Sequence, residues 1–541
     1  MTGRERDGMR ATAARTAAAW TAAAAILASA AGCSAPSGEG DGGGGAGRDA
    51  LVVGIGNEPE TLSPLLGYGK DGNAKIFDGL LRHDAELNLT PALATALPEI
   101  SGDGLTYTFT LREDVEFSDG EPFTAEDVVF TYETILDPGT NNPYKDELDA
   151  LSEVSARDDH TVVFTLDYPY VPFADRTVLP IASAAAAGDQ DVNTGPYNTA
   201  PVGTGPYVLA GWSRGEKITL EANPRYWGGE PQVKRLTMAV VPDDDVRATR
   251  LRSGDLDGAV LPPNLAATFA GDEDKVTHSA ASADFRAVSL PTGNPVTGDR
   301  DIRRALDIAV DREALVEAVL DGAGAVAHGP VPTASEWFAE GTERTHDPDG
   351  ARDVLKAAGW EPGEDGIAVK DGQRASFTLY YPSGDRLRQE LALAYASDAK
   401  KAGIEAVVES AGWEIIEPRL DHDAVLIGGG SPADPDFDLY GLLHSELAGD
   451  GWNNMGRYDN PAVDELLETA RRTADRAERE AAYAAVQREL ADDPGYTFLT
   501  HIDHVYVLAD AWDGVTTQLE PHDHGLGAGP WWNVEDWQPK Q

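Results

Sequence analysis

Cysteine is almost missing from this chain: Cys33 stands alone in 541 residues. No internal disulfide can form, so the fold must be held by its core, which a chain of this length can bury. Basic residues are scarce beside acids, 43 Lys and Arg against 92 Asp and Glu, for a formal net charge of −49. Such a surface repels nucleic acid and anionic lipid headgroups, and its first consequence is solubility. Beyond residue 31 there is no apolar run of the about 20 residues that a membrane-spanning helix needs. Catalytic signatures are missing too. Gly203-Thr204-Gly205 lacks the third glycine of a dinucleotide loop, and Ala433 stands where a nucleophile elbow around Ser431 would need glycine. No phosphate-cradling P-loop and no H-E-x-x-H occurs. Carboxylates are too numerous for any pair to stand out as an acid–base dyad. Binding without turnover and without a cofactor is the expected class; a hydrolase lacking any known signature is the alternative.

What is present begins with an address. Arg4, Arg6, Arg10 and Arg15 precede an alanine-rich apolar stretch, 17–31, closed by Gly32-Cys33. Positive, apolar, then small residues is the order of a secretory signal. Residues 34–47 are nearly all Gly, Ser, Ala, Pro and acid, the composition of a flexible tether. The segments expected are therefore a signal at 1–33 and a tether at 34–49. The Ala-Gly-Cys ending resembles a bacterial lipobox, with Ala30 where Leu is commonest. That resemblance implies a diacylglycerol thioether on Cys33, and a body held on the outer face of the cytoplasmic membrane by this anchor alone.

The body carries 41% hydrophobic and 25% charged residues over the whole chain, ordinary for a soluble globular protein. Leu51-Val52-Val53-Gly54-Ile55 reads as a buried strand, and 105–111 and 161–166 as further strands. Thr124 is a candidate N-cap with Asp127 in the place of the capping-box glutamate. Helices are expected over 301–320 (one, or a pair broken at Asp311), 351–358, 387–402, 461–474 with Pro461 in its first turn, and 477–490. The stretch 496–508 is apolar and extended. Strands alternate with helices, so the class is α/β.

Eleven histidines are scattered through the chain. His501 and His504 lie three apart on an expected strand and so face opposite sides. His522 and His524 flank Asp523 in a Pro/Gly loop, where residues two apart can point the same way. They are the candidate metal ligands, imidazole suiting nickel, copper and zinc; a solvated or hydrogen-bonded pair is the ordinary alternative.

Several segments together are more specific. Asn57 to Pro64 (NEPETLSP), Phe117 to Phe130 (FSDGEPFTAEDVVF), Pro201 to Tyr207, Asn223 to Gly229 (NPRYWGG), Ser253 to Gly258, Ile302 to Leu306 and Tyr458 to Pro461 resemble, in order, the family 5 bacterial solute-binding proteins of ABC importers. The resemblance spans essentially residues 50–541. It implies a two-lobed, periplasmic-binding-protein-like fold of type II, with lobe one at 50–286, an extra subdomain within it at about 75–198, lobe two at 287–505, and a return to lobe one at 506–541. It also implies a monomer that closes on a solute and presents it to a permease and, through that, to ATPase subunits. A sensor or chaperone on the same fold would read alike.

In the peptide-binding branch an aspartate of a D-x-x-[D/E]-P segment pairs with the peptide ammonium. The matching segment here is Ser431-Pro432-Ala433-Asp434-Pro435-Asp436, with Ser431 in the aspartate's place. Serine offers no full charge to a buried ammonium, which is costly to leave unpaired. Asp434 matches the scaffold position, and Asp436 is a further carboxylate nearby. The resemblance thus leaves two cargoes: a peptide or peptide-like solute, and a nickel or other metal chelate. Trp413, Trp452, Trp531 and Trp532 are the aromatic candidates for the cleft, with core packing as the alternative for each. Arg286 is a candidate for a ligand carboxylate.

Overall fold

Strand Ala50–Ile55, whose Leu51 and Val53 are fully buried, pairs in parallel with Arg235–Val240 on one side and Gly258–Leu261 on the other. An apolar run flanked by two parallel neighbours belongs in the middle of a covered sheet. That sheet has seven strands, in the order Lys275–Ala280, His504–Ala509, Gly258–Leu261, Ala50–Ile55, Arg235–Val240, Lys217–Ala222 and Tyr207–Ser213. The computed structural model describes residues 49–72, 74–449, 451–522 and 527–540. Cys33, the signal, the tether up to residue 48, Asp523 and His524 lie outside the described residues.

A second sheet has six strands, in the order Gly324–Val326, Tyr496–Ile502, Phe285–Ser289, Ala424–Gly429, Ser376–Pro382 and Glu405–Ala411. The chain passes from one sheet to the other twice. Residues 281–284 link Lys275–Ala280 to Phe285–Ser289, and Asp503 alone links Tyr496–Ile502 to His504–Ala509. These strands are neighbours on both sides of the passage, so the lobes are joined by two crossing strands lying side by side. The passages fall about two residues before the bounds at 286 and 505 expected from the sequence.

A separate four-stranded antiparallel sheet, ordered Glu99–Ile100, Thr106–Thr110, Thr161–Leu166 and Leu151–Asp158, is inserted in the first lobe. Helix Ala125–Leu136 covers it. Asp127 holds the start of this helix: one carboxylate oxygen accepts the Thr124 N–H at 2.9 Å, and the other accepts the Ala184 N–H at 2.9 Å. In the second lobe the region 301–320 is a pair of helices, Arg300–Ala309 and Arg312–Val319, and Asp311 caps the second through the Ala314 N–H at 3.0 Å. Helices Pro348–Ala357, Arg386–Lys401, Pro461–Arg472 and Arg476–Asp492 follow. Among the described residues no helix is long and apolar enough to cross a membrane.

Candidate functional site

Parallel strands present their carboxyl ends to one edge of a sheet, and open α/β folds bind ligands there. In the second lobe, strand Ala424–Gly429 ends at the segment Ser431 to Phe437, which faces the first lobe. Between them lies a cavity of about 310 Å³. Its walls come from both lobes: Ser431, Pro432, Ala433 and Phe437 on one side, and segments within 71–90, 175–178 and 518–536 on the other. The first-lobe wall is highly charged. Lys75 is buried, bonded to the Trp532 carbonyl and 2.9 Å from the Glu535 carboxylate. His83 meets Asp175 at 3.1 Å. The Arg176 guanidinium lies 2.6 Å from Glu147 and 3.5 Å above the Phe437 ring, bridging the lobes.

Of the residues singled out by sequence, Ser431 and Trp532 line this cavity. The Ser431 N–H donates to Asp438 Oδ2 at 2.8 Å. Burial pushes the Asp438 carboxyl up to about 7, against that hydrogen bond and the more distant Lys70 and Arg176. The Trp532 indole N–H donates to Thr516 at 3.2 Å. The other candidates stand elsewhere. Trp531 is core, edge-on to Tyr506 with ring centroids 5.8 Å apart. Trp413 and Trp452 form an edge-to-face pair at 4.9 Å on the second lobe, away from the cavity wall. Asp434 is buried and takes Arg479 Nη2 on both oxygens at 2.9 Å. Asp436, also buried, holds Arg471 at 2.9 Å and accepts the Tyr170 hydroxyl of the first lobe at 2.9 Å.

Arg286 and His522 belong to a buried charged cluster at the hinge. Asp284, fully buried in the first passage, pairs with Arg286, with His504 Nε2 at 3.2 Å and with His522 Nδ1 at 2.6 Å. Glu520 pairs with the other nitrogen of His504. Despite burial, the Arg286 charge and the hydrogen bonds with His504 and His522 hold Asp284 well below the usual carboxylate range. The His522 N–H also donates to the Gly430 carbonyl at 2.8 Å, tying the returning segment to the second lobe. Among the described residues no group of three or more His, Cys, Asp or Glu is arranged to hold a metal ion. Sequence reasoning missed Asp284, Glu520, Arg176 and Asp438, because no local pattern marks them, and Asp284 and Arg176 meet His504 and Phe437 only through the fold.

The chain is similar to known proteins in sequence and in fold. The model of the bacterial extracellular solute-binding proteins, family 5, matches residues 88–450. Protein XP55 of Streptomyces lividans is 64% identical over 510 residues, covering 94% of each chain. The structure of NikZ from Campylobacter jejuni in complex with Ni(L-His) is 30% identical with a TM-score of 0.82, over 91% of this chain and 99% of that one. The oligopeptide-binding protein AppA of Bacillus subtilis, in complex with a nonapeptide, is 27% identical with a TM-score of 0.77, over 91% and 99%. With a family match over most of its length, a two-lobed α/β body and a cavity walled by both lobes, this chain belongs to the family 5 bacterial extracellular solute-binding proteins.

Proposed function

We propose that this protein is the lipid-anchored binding component of an ABC importer, and that it encloses a short peptide or peptide-like solute between its lobes for delivery to the permease. The observation that carries this reading is the cavity, walled by both lobes and adjacent to Ser431. At about 310 Å³ it lies at the lower end of ligand-pocket sizes, which suits a solute of two or three residues better than a long peptide. Closure about the two crossing strands would couple occupancy to recognition by the permease, the ligand stabilising the closed state by its greater affinity for it. Cys33 is the proposed site of the lipid.

A second reading, a metal chelate as cargo, is favoured by His83 on the cavity wall, by His522 at the hinge, and by Ser431 in place of an ammonium-pairing aspartate. Native mass spectrometry of the protein extracted from its own membranes tests both readings and the anchor. The expected result is a diacylglycerol mass on the N-terminal peptide and a co-purified mass of a di- or tripeptide. An adduct that forms only with nickel plus free histidine, and never with peptides, would overturn the peptide reading. An unmodified Cys33 in the mature chain would overturn the anchor.

A further inference from the structure

We propose that the Arg176 side chain is an end wall of the cleft cavity, and that its bulk sets the length of solute this protein accepts. The proposal rests on the binding role given above and names a residue that limits its cargo. Arg176 lines the cavity of about 310 Å³ between the lobes. It also lines a second cavity of about 10 Å³, room for roughly one water, whose walls include Ile135, Tyr144, Leu148 and Leu179 of the inserted subdomain. No other described residue lines both. One side chain therefore stands between the cleft and a partly apolar space behind it.

That side chain is pinned. Arg176 belongs to the short 3-10 helix Val171–Val178, and its carbonyl accepts the Tyr132 hydroxyl of helix Ala125–Leu136 at 3.1 Å. Its Nη1 lies 2.6 Å from Glu147 Oε2, and its Cζ lies 3.5 Å from the centre of the Phe437 ring. The side chain is only 11% exposed. To swing aside, the guanidinium would have to leave both a carboxylate and an aromatic face. Phe437 comes from the second lobe, so the wall is complete only when the lobes meet. Glu147 does not depend on Arg176 for a counter-charge, because Lys70 Nζ lies 3.4 Å from its other oxygen, Oε1. Truncation at 176 thus leaves no stranded carboxylate. It would join the two cavities and give one further small residue of a peptide a place beside Ile135, Leu148 and Leu179. In the wild type that residue would meet the guanidinium instead.

The test uses the full chain as wild type, Arg176→Ala and Arg176→Met. Methionine keeps most of the bulk and removes the charge; alanine removes the wall. Calorimetry with dialanine, trialanine and tetra-alanine gives, for each protein, the ratio of affinities between successive lengths, in which any common cost of weaker lobe closure cancels. The wild type is expected to lose about ten-fold or more at one step of the series. Arg176→Met should keep that loss at the same step, and Arg176→Ala should abolish most of it. A wild type without such a step, a step that survives in Arg176→Ala, or its equal disappearance from both variants would overturn the proposal, the last by assigning selectivity to charge rather than bulk. Crystal structures supply a readout that does not depend on peptide affinity. The two cavities are expected to be continuous through position 176 in Arg176→Ala, and cavities that stay separate would overturn the wall. In the wild type soaked with trialanine, one end of the peptide should lie in van der Waals contact with Arg176, and a peptide bound away from it would likewise overturn the proposal. Continuous cavities in the alanine variant, with none of the three peptides bound by any of the proteins, would leave the wall standing and overturn the peptide reading instead.

Discussion

His504 sits where the second crossing strand enters the first sheet, between Asp284 and Glu520. Burial disfavours its charged form, but the hydrogen bonds to Asp284 and Glu520 outweigh burial and push its pKa up to about 9. In the unfolded chain the value is about 6.5. A raised folded pKa means that the folded state holds this proton more tightly. The stabilisation is fully present below about 6.5 and is lost as pH rises through about 9, a loss on the order of 3 kcal/mol. The melting temperature is therefore expected to fall from pH 6.5 to 9, and His504→Gln should flatten that fall. A variant with the same slope as the wild type would show that His504 does not carry it. The sequence reading placed His501 and His504 on one strand facing opposite sides, but they stand on two strands of different sheets and find separate partners, His501 meeting the Pro330 carbonyl at 3.2 Å. Asp284 as a partner of His504 was not legible, because 220 residues separate them and only the crossing of two strands brings them together.

Helices and strands left plain marks at the level of elements. The expected 387–402 is Arg386–Lys401, and Asn460-Pro461 opens Pro461–Arg472, where the Asn460 side chain accepts the Ala462 N–H at 3.1 Å. The apolar stretch 496–508 reads as continuous, yet it is two strands in two sheets parted at Asp503; hydrophobicity reports burial and says nothing of which sheet does the burying. The Ser431–Asp436 segment was found by resemblance, but its carboxylates were harder to read. Asp434 serves helix Arg476–Asp492 through Arg479, and a carboxylate looks the same in sequence whether it meets ligand or scaffold. Arg479→Met would strand Asp434 in the interior, with a cost of about 3–5 kcal/mol. A marked drop in the thermal unfolding midpoint is expected, partly recovered on adding Asp434→Asn. A midpoint unchanged in the single variant would mean that this pair contributes little.

Over the whole molecule, closure is opposed by the like charge of the two lobes, part of a net −49, unless specific contacts offset it. Four such contacts join the inserted subdomain and its flank to the second lobe. The Tyr170 hydroxyl reaches Asp436, Arg471 Nη1 lies 3.6 Å from Asp149, Arg176 lies over Phe437, and the Arg472 guanidinium lies 4.4 Å above Tyr168. All of them require the lobes to be together, so each biases the open–closed equilibrium before any solute arrives. Asp436 is the centre of this latch, because Arg471 holds it in place from within its own lobe while Tyr170 reaches it from across the cleft. Tyr170→Phe keeps the ring and that ion pair and removes only the crossing hydrogen bond, which to a charged acceptor contributes about 1.5–3 kcal/mol. The unliganded variant should therefore populate open forms more than the wild type, with a larger radius of gyration by solution X-ray scattering, while its melting temperature stays close to that of the wild type because each lobe keeps its own core. Equal radii for the two proteins would mean that the latch does not set the equilibrium, and would leave closure to the solute alone.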